Sequence, residues 1–218
     1  MPAKRPYQTS GPTVNILGQY LVNPITLTDG ETYPLQVDQN GNLKAVLTGT
    51  SNNSTVIVSG RTTMVGATIT RSANTTAYSI NQVVANANGT ILTFTNLARI
   101  TGGSGYITKA RLITNQLNNT ASFRLHLFHT APTSQTDGSA YQLLWANRDK
   151  AIGTIDIPAL TSEGAGGSTD SSRGINSDIR LAFSGGATAD IFVIVQTLSA
   201  FTPTSGQFFY LELTAENN

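Results

Sequence analysis

The stretch Ser122-Phe123-Arg124-Leu125-His126-Leu127-Phe128-His129 decides the fold class. Side chains alternate across a strand, so Phe123, Leu125 and Leu127 share one face while Arg124, His126 and Phe128 share the other. The same period recurs in Ile179, Leu181 and Phe183, and in Phe209, Leu211 and Leu213. Ile191-Phe192-Val193-Ile194-Val195 is continuously apolar, as in a strand covered on both faces. Working outward, strands are predicted at 64–70, 77–85, 90–95, 106–115, 122–130, 141–146, 152–157, 178–183, 190–198 and 207–214. Turn-forming runs separate them: Gly102-Gly103-Ser104-Gly105, Asn118-Asn119, Pro132 to Gly138, Gly164 to Ser168, Gly185-Gly186 and Pro203 to Gly206. Only Ala146 to Ala151 is suited to a turn of helix. The expectation is an all-β protein, an antiparallel β-sandwich with jelly-roll topology. Alternation says which face a residue takes and nothing about which strands are neighbours.

Composition agrees. Thr, Ser and Asn number 32, 18 and 18 in 218 residues, and charged residues make up only 11 %. That is how many short strands with polar outer faces read. With 13 basic residues against 12 acidic ones, the chain is not built to neutralise phosphates, so nucleic acid is not an expected partner. There is no cysteine, which excludes disulfides, thiolate metal sites and thiol catalysis. No apolar run is long enough to span a membrane. Met1 to Tyr7 has basic residues without the apolar stretch of a signal peptide.

The first 60 residues read differently. Pro2, Pro6, Gly11, Pro12, Gly18 and Pro24 punctuate residues 1–28, which still carry Tyr7, Val14, Ile16, Leu17, Tyr20, Leu21, Val22, Ile25 and Leu27. Proline blocks a helix and a central strand, yet the segment is too apolar for a disordered composition. It is either a floppy tail or an extended arm that orders on a partner, the nine apolar residues then being its contacts. Residues 33–47 alternate around Asn40-Gly41 and predict a β-hairpin. Thr48 to Ser54 reads as a linker. The expected division is an arm over 1–60 and a sandwich over 61–218.

Candidate chemistry is sparse. His126 and His129 lie three apart, on opposite faces of a strand, and no further nitrogen ligand exists. No Gly-x-Ser-x-Gly elbow occurs. The Gly102 to Gly105 run lacks the lysine and following helix of a phosphate loop and reads as a hairpin loop. Glu31, Glu163, Glu212 and Glu216 offer no spaced pair for glycoside hydrolysis. Asp137, Asp170 and Asp178 are the loop acids to test for calcium. Trp145 follows two leucines and reads as core sooner than as a sugar-stacking platform. No catalytic residue, cofactor or metal is expected, and the protein is expected not to be an enzyme.

Thr26 to Leu43, with Leu27-Thr28-Asp29-Gly30 and Pro34-Leu35-Gln36-Val37-Asp38 at its centre, resembles a segment recurring in virion proteins of tailed bacteriophages. From Ile107 to Leu213 the chain looks like the jelly-roll domain of capsid decoration, or cement, proteins. The resemblance implies a structural role on the outer surface of a phage capsid, in a virion made in the bacterial cytoplasm. It implies the major capsid protein as partner. It also implies a homo-oligomer, a trimer first and a dimer second, because shells have local three-fold and two-fold axes. Tail and fibre proteins share the segment, so a glycan-binding role in host recognition is the alternative. An exposed aromatic platform would favour that alternative, and a buried Trp145 the first reading.

Overall fold

The computed structural model describes residues 61–87, 89–164 and 171–218, together with the backbone of two short strands, β1 (Gln19–Tyr20) and β2 (Gln36–Val37). The chain divides into two units, Met1–Val56 and Ile57–Asn218. In the first, β1 and β2 pair in parallel. The rest of the expected hairpin at 33–47, the linker at 48–54, and Tyr7, Val14, Ile16, Leu17, Leu21, Val22, Ile25 and Leu27 lie outside the described residues. Of Tyr20 only the backbone is described.

In the second unit the elements run β3 (Arg61–Thr70), β4 (Val83–Val84), β5 (Leu92–Phe94), β6 (Ser104–Thr114), β7 (Phe123–Phe128), a 3-10 helix η1 (Trp145–Lys150), β8 (Ala151–Ile157), β9 (Thr161–Ser162), β10 (Ser172–Asn176), β11 (Leu181–Ser184), β12 (Ile191–Thr197) and β13 (Phe208–Asn217). One sheet has the order β3-β13-β6-β10-β9, with β11 beside β10 on the same edge of β6. The other has the order β4-β12-β7-β8, with β5 continuing the line of β4 along β12. Every pairing between these strands is antiparallel.

Counting β4 with β5, and β10 with β11, as single interrupted strands, and setting aside the two-residue β9, leaves eight positions. The first pairs with the eighth, the second with the seventh, the third with the sixth and the fourth with the fifth. That nesting is one long hairpin rolled up, which is a jelly roll. The roll closes where β13 meets β6 and β12 meets β7. The short pair β9–β10 is an addition at the sheet edge.

The faces fall where alternation puts them. Phe123, Leu125, Leu127, Phe209, Leu211 and Leu213 are fully buried between the sheets, with Phe94, Leu112 and Ile155. The run Ile191 to Val195 is covered on both sides. Ile191, Val193 and Val195 join the main core, while Ile194 joins a small second cluster with Val83, Ala85 and Phe128 on the outer side.

Four expectations fail. Of the strand expected at 77–85, only Val83–Val84 forms one, with isolated bridges at Tyr78 and Gln82. Residues 141–146 are not a strand but lead into η1, within the region expected to hold the helical turn. β10, Ser172-Arg173-Gly174-Ile175-Asn176, was not anticipated. Gly102 to Gly105 is not a hairpin loop, because it joins β5 to β6 in opposite sheets. Its glycines serve close packing: a Cβ on Gly103 would sit 2.3 Å from the Ala98 carbonyl oxygen, and one on Gly105 would sit 2.2 Å from that of Glu216.

Candidate functional site

The longest connection in the sandwich runs from His129 to Lys150, between β7 and β8. A loop of this length is normally functional, and this one is fastened at four places. At its middle, Gly138 donates to the Val83 carbonyl (2.9 Å), Val83 to that of Ser139 (2.8 Å) and Tyr141 to that of Asn81 (2.8 Å), so the loop adds to the sheet beside β4. Gln135 and Gln142 exchange two side-chain to backbone bonds, at 2.8 and 3.0 Å. Near its end, buried Asn147 accepts from the Thr133 amide (3.4 Å) and Lys150 Nζ (3.3 Å).

The third fastening is Asp137. Its carboxylate accepts from Tyr78 Oη at 2.5 Å, from the Ala85 amide at 3.0 Å and from Arg71 Nη2 at 3.3 Å. Arg71 Nε donates to Tyr78 Oη. The Arg71 side chain is only 2 % exposed, so Asp137 compensates a buried charge. Burial, then the Asp137 carboxylate, pushes the Tyr78 phenol well above its usual range. Asp137, one of the loop acids set aside for a calcium test, is thus an ion-pair partner of Arg71. A polar cleft of about 170 Å³ opens beside it, lined by Asn74, Thr76, Gln82 and Gly138 among others.

The fourth is an aromatic stack. Tyr141 lies on the His126 ring, with centroids 3.7 Å apart and planes 15° apart. His126 Nε2 meets Gln196 Oε1 at 2.8 Å. Burial lowers the His126 pKa below its ordinary value, against the opposing effect of Gln196, with Arg124 lowering it further. His129 turns elsewhere, its Nε2 3.0 Å from the Asp149 carbonyl oxygen. The two histidines therefore serve separate contacts.

What this fastened loop presents is Trp145, which corrects the expectation of a core tryptophan. Its side chain is 79 % exposed, and Leu143 beside it is 52 % exposed. The main core closes without it, on residues of both sheets and of other connections such as Leu97 and Leu160. Arg148 lies over the indole at 4.0 Å and donates through Nη1 to the Trp145 carbonyl at 2.7 Å. Asp149 holds the same guanidinium at 3.1 Å. The indole is thus an apolar surface braced from behind. Trp145 does not line the polar cleft. Leu143 and Arg148 were missed from sequence, where nothing distinguishes them from neighbouring loop residues.

The acidic side chains are largely spoken for. Glu212 pairs with Arg111 at 2.6 Å, Asp156 with Arg124 at 2.6 Å and Glu163 with Arg173 at 3.0 Å. Among the described residues no three His, Asp or Glu side chains converge as a metal site would require. Among them, too, no helix is long and apolar enough to cross a membrane. Asp170 lies outside the described residues.

The strand order defines the class, a jelly-roll β-sandwich. No protein-family model matches the chain, and no curated protein sequence matches it either. Among solved structures it is similar to one titled Desmodium yellow mottle tymovirus, with 8 % identity, 79 % of this chain and 94 % of that chain covered, and a TM-score of 0.24. It is also similar to one titled as the cryoEM structure of mud crab dicistrovirus, with 12 % identity, 99 % and 91 % covered, and a TM-score of 0.27. These overlaps are loose, and the fold rests on the strand pairings alone.

Proposed function

We propose that this protein is a structural component of a virion that binds the outer surface of a phage capsid and cements neighbouring subunits. The observation that carries the proposal is the fastened β7–β8 loop with Trp145 and Leu143 at its surface. Tryptophan is among the residues enriched at binding hot spots, and a side chain already held in place loses little freedom on docking. Many copies on one shell would multiply such contacts. The major capsid protein is the proposed partner, and no catalysis is assigned.

The resemblance of Thr26 to Leu43 to phage virion proteins supports the same reading, as does the reach of the arm. Its apolar residues, Tyr7 to Leu27, are proposed as a second set of contacts, through strand addition to a neighbour. Removing residues 1–28 is expected to weaken attachment while leaving the melting temperature of the sandwich nearly unchanged. Equal binding by the shortened chain would remove the arm from the proposal.

By the criterion drawn from the sequence, the exposure of Trp145 counts for the second reading, a glycan-binding fibre protein, and not for the first. Glycan sites are concave, with aromatics and polar groups converging. Trp145 instead stands apart from the polar cleft, which favours a protein partner. Particles with and without the protein separate the two. A cement protein leaves particles that lack it prone to losing DNA on heating or osmotic shock, with adsorption to cells unchanged. Failed adsorption with unchanged particle stability would establish the alternative.

A further inference from the structure

Strand β3 forms one edge of its sheet. It pairs with β13 over ten consecutive residues with no register shift. At its end, the Thr70 amide donates to Asn86 Oδ1 (2.7 Å) and the Thr70 carbonyl accepts from the Ala87 amide (3.3 Å). The main chain of Thr70 therefore points away from β13. Antiparallel strands alternate in this respect, so Thr62, Met64, Gly66 and Thr68 point the same way. The neighbouring bonds agree with that parity: Arg71 donates to the Gln207 carbonyl, and Asn115 to the Phe208 carbonyl on the far side of β13.

Among the described residues, nothing takes the outward amides and carbonyls of these four residues, and all four residues are exposed. Edges of this kind are normally guarded by lysine, proline, inward charge or a bulge. Thr62 to Thr70 contains no charged residue and no proline, and no bulge interrupts it.

We propose that β3 pairs with β3 of a second copy of this chain, antiparallel, about a two-fold axis at Val65. The register follows from the free positions. Thr62 then faces Thr68 of the second copy and Met64 faces its Gly66, with each pair repeated by the axis. Thr70, already engaged, is left out. The set of free residues is its own complement, as an isologous interface requires. It forms about eight backbone hydrogen bonds, two for each hydrogen-bonded pair.

The side chains fit the same register. Gly66 is overlain by Tyr210, whose hydroxyl would lie 2.2 Å from a Cβ at that position. Met64, 60 % exposed, is brought opposite that glycine and beside the tyrosine, itself 38 % exposed. A thioether against an aromatic ring is a favourable contact. No charge faces a like charge across the paired residues.

The test uses the full chain. Sedimentation equilibrium is expected to show a dimer. At concentrations where it is dimeric, the Met64, Gly66 and Thr68 amides should exchange at least about tenfold more slowly than in the dissociated protein. Met64→Pro removes an outward amide without touching the β13 bonds and is expected to give a folded monomer. Met64→Lys, which keeps the amide and adds edge charge, should weaken the dimer while leaving the fold intact. A monomer at all concentrations, a trimer, or a dimer unaffected by both substitutions would overturn the proposal. So would edge amides already protected in a monomer, since residues of the same chain would then cover β3.

Discussion

The Arg148 guanidinium carbon lies 4.0 Å from the centre of the Trp145 ring, and Arg148 Nη1 donates to the carbonyl of the same tryptophan. One arginine thus holds both the backbone and the ring of the most exposed large hydrophobic residue among the described residues. Such a cation–π contact is worth about 0.5–1 kcal/mol at an exposed site. Its use is to limit the orientations of the indole before anything binds.

Trp145→Ala is therefore expected to leave the melting temperature within about 2 °C of the parent, because little buried area is lost. Binding to purified shells should fall at least about tenfold, as for a hot spot. Arg148→Ala should give a smaller loss of binding. Titration of shells with the two variants checks both; unchanged binding by Trp145→Ala would exclude this surface from attachment.

Asp137 ties the same loop to the body of the sandwich. Asp137→Ala leaves Arg71 as a buried charge without its carboxylate and frees Tyr78 and the Ala85 amide. The expected loss is about 3 kcal/mol, read from urea unfolding. Replacing Arg71 as well, by Met, should recover part of that loss, since it removes the charge that Asp137 compensates.

Acid should loosen the loop through His126. Burial lowers its pKa in the folded protein below the ordinary 6.5, so folding favours the neutral ring. Its contribution is present above about pH 6.5 and is lost as pH falls through the folded-state value. Asp156 acts in the same direction at lower pH. The hydrogen bond from Arg124 holds its carboxyl below the usual range, so its stabilisation disappears as that group protonates. His126→Gln should flatten the upper part of the stability–pH curve and leave the lower part. Thermal melts across the acid range distinguish the two steps.

Gly105 tests close packing at the start of β6. A methyl group there would meet the Glu216 carbonyl oxygen at 2.2 Å, an atom of the paired strand β13 that cannot turn aside. Gly105→Ala is expected to cost about 1–3 kcal/mol, as overpacking does. Gly102→Ala meets no neighbouring atom but is strained at a φ of +69°. Its smaller cost should be about 1 kcal/mol. Denaturant unfolding of the two variants ranks them.

The sequence by itself determined the strand class and the core faces, because alternation has a period of two and is local. Phe123, Leu125, Leu127, Phe209, Leu211 and Leu213 needed no partner to reveal their inward side. Tertiary structure alone decided the strand order, since pairing joins residues as distant as Arg61 and Asn217. It also decided β10, whose Gly174 hid it from any pattern. A Cβ on Gly174 would come within 2.7 Å of Leu160 and 2.8 Å of Ile157, so the core there requires the residue with no side chain. Trp145 shows the same limit from the other side. Two preceding leucines suggested burial, but the loop is tied down through Asp137 and Tyr141 with its indole in the solvent, and those ties reach Arg71, Tyr78, Asn81 and Ala85, far away in the chain.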